Sequence, residues 1–78
     1  MWTQIFIVSD SISVRRLKEL EDKLELYGAL PVSPFGTPVI ENGEYEVRIL
    51  FSTPAVEAIV RSIITASGAI ITRVVSNE

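Results

Sequence analysis

Apolar residues along this chain recur first with a strand-like and then with a helix-like period. Trp2 to Val8 is rich in aromatic and β-branched residues and runs into Ser9-Asp10-Ser11, a cluster that favours turns and helix caps, which predicts a first strand. Val14, Leu17, Leu20, Leu24 and Tyr27 then fall at spacings of three and four with charges between them, and Gly28 ends the pattern. The next element is therefore an amphipathic helix. Pro31, Pro34, Gly36 and Pro38 interrupt the following stretch, so a strand there lacks donors and belongs at a sheet edge, with Thr37 to Glu41 the piece best suited to it. Asn42-Gly43 is a two-residue hairpin signal, because both central residues of a type I′ turn need positive φ. After it, Tyr45, Val47, Ile49 and Phe51 alternate with Glu46, Arg48 and Leu50 as a third strand. Thr53-Pro54 joins a capping oxygen to a residue whose missing N–H is harmless in a first helical turn, and the helix it opens reaches Ala66 or Ser67 before Gly68. Ala69 to Val75 reads as the last strand and Ser76-Asn77-Glu78 as a fraying tail.

The order β-α-β-β-α-β within a single domain spanning 1–78 predicts an α+β, ferredoxin-like sandwich. In that fold two helices cover one face of a four-stranded antiparallel sheet, and the usual strand order, 4-1-3-2, puts the proline-bearing second strand at an edge. If Tyr45, Val47, Ile49 and Phe51 meet the helices, Arg48 and Leu50 point away, and either Trp2, Phe6 and Val8 or Ile5 and Ile7 must do the same. The pattern leaves open which face of the first strand is buried. Either choice puts large apolar side chains on the far face, which makes Trp2, Phe6, Val8 and Leu50 candidates for an interface with a second copy or another protein. The second helix, with Ala55, Val56, Ile59, Val60, Ile63, Ile64 and Ala66, is also apolar over more of its surface than a one-sided stripe requires.

Composition narrows the chemistry. The chain has 78 residues, 47% of them hydrophobic and 22% charged, near the lower size limit for a self-sufficient core. It contains no cysteine and no histidine, which excludes a disulfide framework, Cys-ligated metal sites and His-based acid/base catalysis. Apolar runs are short and the first residues lack the basic and apolar regions of a signal peptide, so membrane insertion and export are not expected and a reducing, cytoplasmic setting fits. The net charge of −3 has the wrong sign for tracking phosphates. Along the first helix Arg15, Arg16, Lys18 and Lys23 cancel Glu19, Glu21, Asp22 and Glu25, so the excess comes from Glu41, Glu44 and Glu46 around the hairpin. These three read as solvated acids that can steer a basic partner rather than as a catalytic pair, which needs one desolvated carboxyl. Nor do they supply the alternating ligands of a dedicated calcium loop. Lys18 and Lys23, on a charged helix face, make poor nucleophiles. No catalytic residue, no metal site and no cofactor is expected.

The polar positions that remain are at the first strand-to-helix turn. In Asp10-Ser11-Ile12-Ser13-Val14, free backbone N–H groups at the helix start can hold an anion or carboxylate, so Asp10, Ser11 and Ser13 are the candidate ligand residues. Ordinary helix capping uses the same residue types.

Ile5-Phe6-Ile7-Val8-Ser9-Asp10 resembles the first-strand signature of RNA-recognition-motif domains, in which an outward aromatic stacks on a base. The third strand offers Glu46, Arg48 and Leu50 where that family places outward aromatics, so nucleic acid is not an expected partner. The hydrophobic first strand ending in Asp10, the turn to Val14 and Leu17, Gly28 after the helix, and Glu57-Ala58-Ile59-Val60 leading to Ile70–Val75 resemble the ACT family of small ferredoxin-like regulatory domains. The resemblance implies binding of an amino acid or similar metabolite. Ile12-Ser13 stands where that family favours a glycine. Tyr45 to Val75 is also similar to ferredoxin-like domains at the C-terminal end of some translation-associated proteins. Taken together, these features rank a non-catalytic, homo-oligomeric regulatory module that binds a small metabolite first. A protein-binding inhibitor or adaptor using the acidic hairpin and the apolar sheet face comes second, and an RNA- or ribosome-associated protein third.

Overall fold

The computed structural model describes residues 2–32, 40–41 and 43–77, with backbone alone at 40 and 41. Along the chain come β1 (Trp2–Val8), one 3₁₀ turn (Ser9–Ser11), α1 (Val14–Glu25), β2 (Ala29–Pro31), β3 (Ile40–Glu41), β4 (Glu44–Ile49), α2 (Pro54–Ala66) and β5 (Ile71–Asn77). They form one antiparallel sheet in the order β2-β4-β1-β5, with β3 also paired to β4. β2 and β3 lie end to end along the same edge of β4, Ala29–Pro31 opposite 47–49 and Ile40–Glu41 opposite 44–45. They fill a single strand position, so the fold is the ferredoxin-like β-α-β-β-α-β sandwich that the element order predicts.

The edge position is built differently from the expectation. Of the stretch Thr37 to Glu41, residues 37–39 lie outside the described residues, as do Pro34, Gly36, Pro38 and Asn42. Much of the edge pairing comes instead from Ala29–Pro31, directly after the helix. Gly28 makes this possible: its φ of +70° is a left-handed conformation that turns the chain back three residues after α1 ends at Glu25. The Val32 N–H donates to the Glu46 carbonyl at 2.9 Å. Because antiparallel bonding alternates, Pro31 then sits where an N–H would point away from β4, and its missing donor leaves no gap in the ladder.

Alternation along the central strands sorts core from surface. Thr3, Ile5 and Ile7 of β1 and Tyr45, Val47 and Ile49 of β4 are buried under the helices, which decides the question that the sequence pattern left open for β1. α1 adds Leu17, Leu20 and Leu24, and α2 adds Val60 and Ile64. Ser13 caps α1 by accepting the Arg16 N–H at 3.2 Å. Ile12 before the cap and Leu17 beyond it are both buried, in the positions of a hydrophobic staple. Ile12 takes the inward place that the spacing assigns to Val14, which is 53% exposed, and Tyr27, past the helix end, is also exposed. Thr53 caps α2, accepting the Val56 N–H at 3.2 Å, with Pro54 next to it.

Two further expectations are corrected. β4 stops at Ile49, so Phe51 is not a core residue but 87% exposed, and Leu50 lies in the following loop rather than on the sheet. The reason is the Thr53 cap: α2 starts at Pro54, which leaves 50–52 to turn the chain. β5 runs two residues later than Ala69–Val75, and Ser76 and Asn77 pair with Thr3 and Trp2 instead of fraying. No helix among the described residues is long and apolar enough to cross a membrane.

Candidate functional site

Three surfaces bear on function. The first is the strand-to-helix turn. Ser11 Oγ donates to the Val8 carbonyl at 2.6 Å and accepts the Ile70 N–H at 2.9 Å, so it ties the turn to the start of β5. Ser13 is engaged as the α1 cap. Asp10 is exposed in the 3₁₀ turn. Both serine side chains are therefore engaged by this chain's own backbone, which is the capping alternative that their residue types allow.

The second surface is the sheet face away from the helices, which receives Trp2, Gln4, Phe6 and Val8 from β1. These aromatics are half-buried and partly covered within the chain. The Arg73 guanidinium lies 3.9 Å from the centroid of the Phe6 ring, and that of Arg48 lies 5.1 Å from Trp2. Each is within the range where a cation is held by a ring's quadrupole. Carboxylates lie beside both arginines: Arg48 Nε donates to Glu46 Oε2 at 2.6 Å, and Arg73 approaches Glu44 at 3.8 Å. Gln4 donates to the same Glu46 oxygen at 3.2 Å and accepts from Asn77 at 3.1 Å, while the Thr72 hydroxyl donates to Glu44.

Glu44 and Glu46 are thus not solvated acids. Their side chains are only 19% and 18% exposed, because Arg48 on the same strand and Gln4, Thr72 and Arg73 on other strands close over them, and their charge is matched within the sheet rather than projected toward a partner. The side chain of Glu41 is not among those described. A base or a second sheet stacking on Phe6 would first have to displace Arg73.

The third surface is an apolar end. α1 and β4 finish at the same end of the sheet, where the Leu50 N–H donates to the Gly28 carbonyl at 3.2 Å and Ala29 pairs with Ile49. This seats the turn after α1 beside the loop before α2. The two segments carry Leu26, Tyr27, Leu50 and Phe51, all exposed, Leu26 and Phe51 by 82% and 87%. From inside, the buried hydroxyl of Thr3 donates to Ser52 Oγ at 2.7 Å and holds the second loop to β1. The neighbouring last turns of α1 hold Glu21, Asp22 and Glu25 against a lone Lys23. Carboxylates at a helix C-terminus face the negative end of the helix dipole, so this rim does not favour the isolated helix.

The candidate interface residues are therefore divided: Trp2, Phe6 and Val8 lie on the face that the arginines cover, and Leu50 lies at the apolar end. The alternation places Phe51 in the core, and Leu26 carries no periodic signal. What could have flagged both is their position just outside a terminator, Leu26 before Gly28 and Phe51 before the Thr53 cap. Among known proteins, no family model and no curated relative matches the chain.

Proposed function

We propose that this chain is a non-catalytic protein-binding module, an adaptor or inhibitor, that docks through the apolar end formed by Leu26, Tyr27, Leu50 and Phe51. The observation that carries this reading is the near-complete exposure of Leu26 and Phe51 on two loops joined by a backbone hydrogen bond. Contiguous large apolar side chains at a surface mark interaction sites, whereas single scattered ones do not. The occupant is a protein surface with an apolar recess and a basic rim, since such a rim would neutralise Glu21, Asp22 and Glu25 at the end of α1. In the ACT-like alternative, a metabolite held at Asp10, Ser11 and Ser13, the ligand would share serines whose hydroxyls already bond this chain's backbone, with the Ser11 proton already committed to the Val8 carbonyl. Protein docking at the apolar end draws on no group already engaged and ranks first.

The test is affinity capture with chemical cross-linking from the source cells, comparing the natural chain with the double variant Leu26→Asp, Phe51→Asp. The expected result is a partner with a basic surface that cross-links to Lys23 in the natural chain, weakens with added salt and disappears with the variant. Identical capture by both chains would overturn the reading.

A further inference from the structure

We propose that two copies of this chain pair through the outer edge of β5, which no strand among the described residues covers, antiparallel, about a twofold axis at Val75. The two edges of the sheet are built in opposite ways. One is filled by two short pieces, Ala29–Pro31 and Ile40–Glu41, and carries a proline. The other is a single strand, Ile71–Asn77, without proline or lysine. Unpaired strand edges recruit other strands unless something blunts them. On β5 only a register shift opposite Phe6 and Ile7 interrupts the strand, and it leaves Arg73 to Asn77 regular. The one charge in that stretch is directed back onto the Phe6 ring and Glu44 rather than out along the edge.

The hydrogen-bond pattern fixes which groups are free. The Ser9 N–H donates to the Gly43 carbonyl and the Val8 N–H to the Ile70 carbonyl, both at 2.9 Å. Bonding alternates along an antiparallel strand, so odd-numbered residues of β1 bond to β4 and even-numbered ones to β5. Gln4 and Phe6 therefore bond to their partners Val75 and Arg73. Val74 and Ser76, between and beyond these, turn their N–H and carbonyl groups to the open side. Pairing Val74 with the second copy's Ser76, and the reverse, satisfies all of these groups and places the two Val75 residues opposite each other on the twofold axis. Arg73 then faces the second copy's Asn77, so no like charges meet. The result is a continuous sheet across two molecules, with the two apolar ends pointing in opposite directions. This inference does not depend on what docks at those ends.

The chain has no cysteine, so single cysteines report the register directly. Directly opposed residues in a non-bonded antiparallel pair have Cα atoms about 4.5 Å apart, within disulfide range. In this register the two Thr72 residues are separated by roughly 20 Å along the strands. The expected result under mild oxidation is a covalent dimer from Val75→Cys and none from Thr72→Cys. The second variant is Ser76→Pro, which removes an outward N–H and no bond to β1. It should keep the melting temperature of a dilute sample and weaken dimerisation by about tenfold or more in sedimentation equilibrium. A monomer at all concentrations, a dimer that Ser76→Pro does not affect, or linkage of Thr72→Cys as readily as Val75→Cys would each overturn the proposal. Leu26→Asp with Phe51→Asp leaves this dimer intact, so failure of the docking reading and failure of the edge pairing are distinguishable.

Discussion

Replacing Thr3 by valine removes one hydroxyl from the interior and almost nothing else. Thr3 is buried on the helix-facing side of β1, and its Oγ1 reaches Ser52 Oγ at 2.7 Å across 49 positions of sequence. Valine keeps the branched shape, so no cavity opens, but Ser52 loses its partner. A neutral hydrogen bond contributes about 1 kcal/mol net, and leaving a buried partner unsatisfied costs about 1–3 kcal/mol. Ser52 sits at the margin of burial, so water reaches it in part and the expected loss for Thr3→Val is about 1–2 kcal/mol. In a domain of this size that lowers Tm by roughly 4–8 °C for each kcal/mol. Ser52→Ala should cost a similar amount. The double variant should lose less than the sum of the two by about 1 kcal/mol, because neither group is then left unpaired. Urea denaturation of the four proteins, followed by circular dichroism, supplies the cycle. Additive losses, or no loss from either single change, would refute the assignment of this bond as the anchor of the loop that carries Leu50 and Phe51.

Phe51→Asp, at a side chain with little buried area, should change stability by no more than about 0.5 kcal/mol, and Leu26→Asp, which adds a carboxylate at the end of α1, by no more than about 1 kcal/mol, results that urea melts check and that a loss above about 2 kcal/mol from either would contradict. The Phe6–Arg73 pair should show a coupling of about 0.5–1 kcal/mol in a cycle of Phe6→Leu and Arg73→Met, independent of protein concentration, as expected of a contact within one chain. Ser13→Ala should lower stability by about 1 kcal/mol through loss of the α1 cap. Calorimetry with a panel of amino acids before and after that change checks the metabolite alternative, which predicts saturable binding that weakens.

Most of the elements and their order follow from the sequence because their signals are local. A period of three and four residues, a Ser or Thr cap, a proline in a first turn and a glycine at a reversal each act within one turn of chain, so α1, α2, β1 and β4 are legible without knowledge of their neighbours. The ferredoxin-like arrangement follows from their order. The candidate site is legible only in part. Asp10, Ser11 and Ser13 stand out as polar residues at a helix start, yet one of the two groups that Ser11 bonds lies 59 positions away, at Ile70. Glu44 and Glu46 look solvated in the sequence; Arg48, two residues along the same strand, pairs with Glu46, and Gln4, Thr72 and Arg73 reach the two acids from β1 and β5. Phe51 reads as core from its alternation, and only the junction between the end of β4 and the cap of α2 turns it outward. Local chemistry along the chain therefore determined the two helices, the strands β1 and β4 and the order of elements, while the edge pairing by Ala29–Pro31 and the bounds of β5 came from the sheet. How far Glu44 and Glu46 are shielded from water, how the two apolar loops come to lie side by side and which strand edge is left open depend on residues distant in sequence, and the tertiary structure decided them.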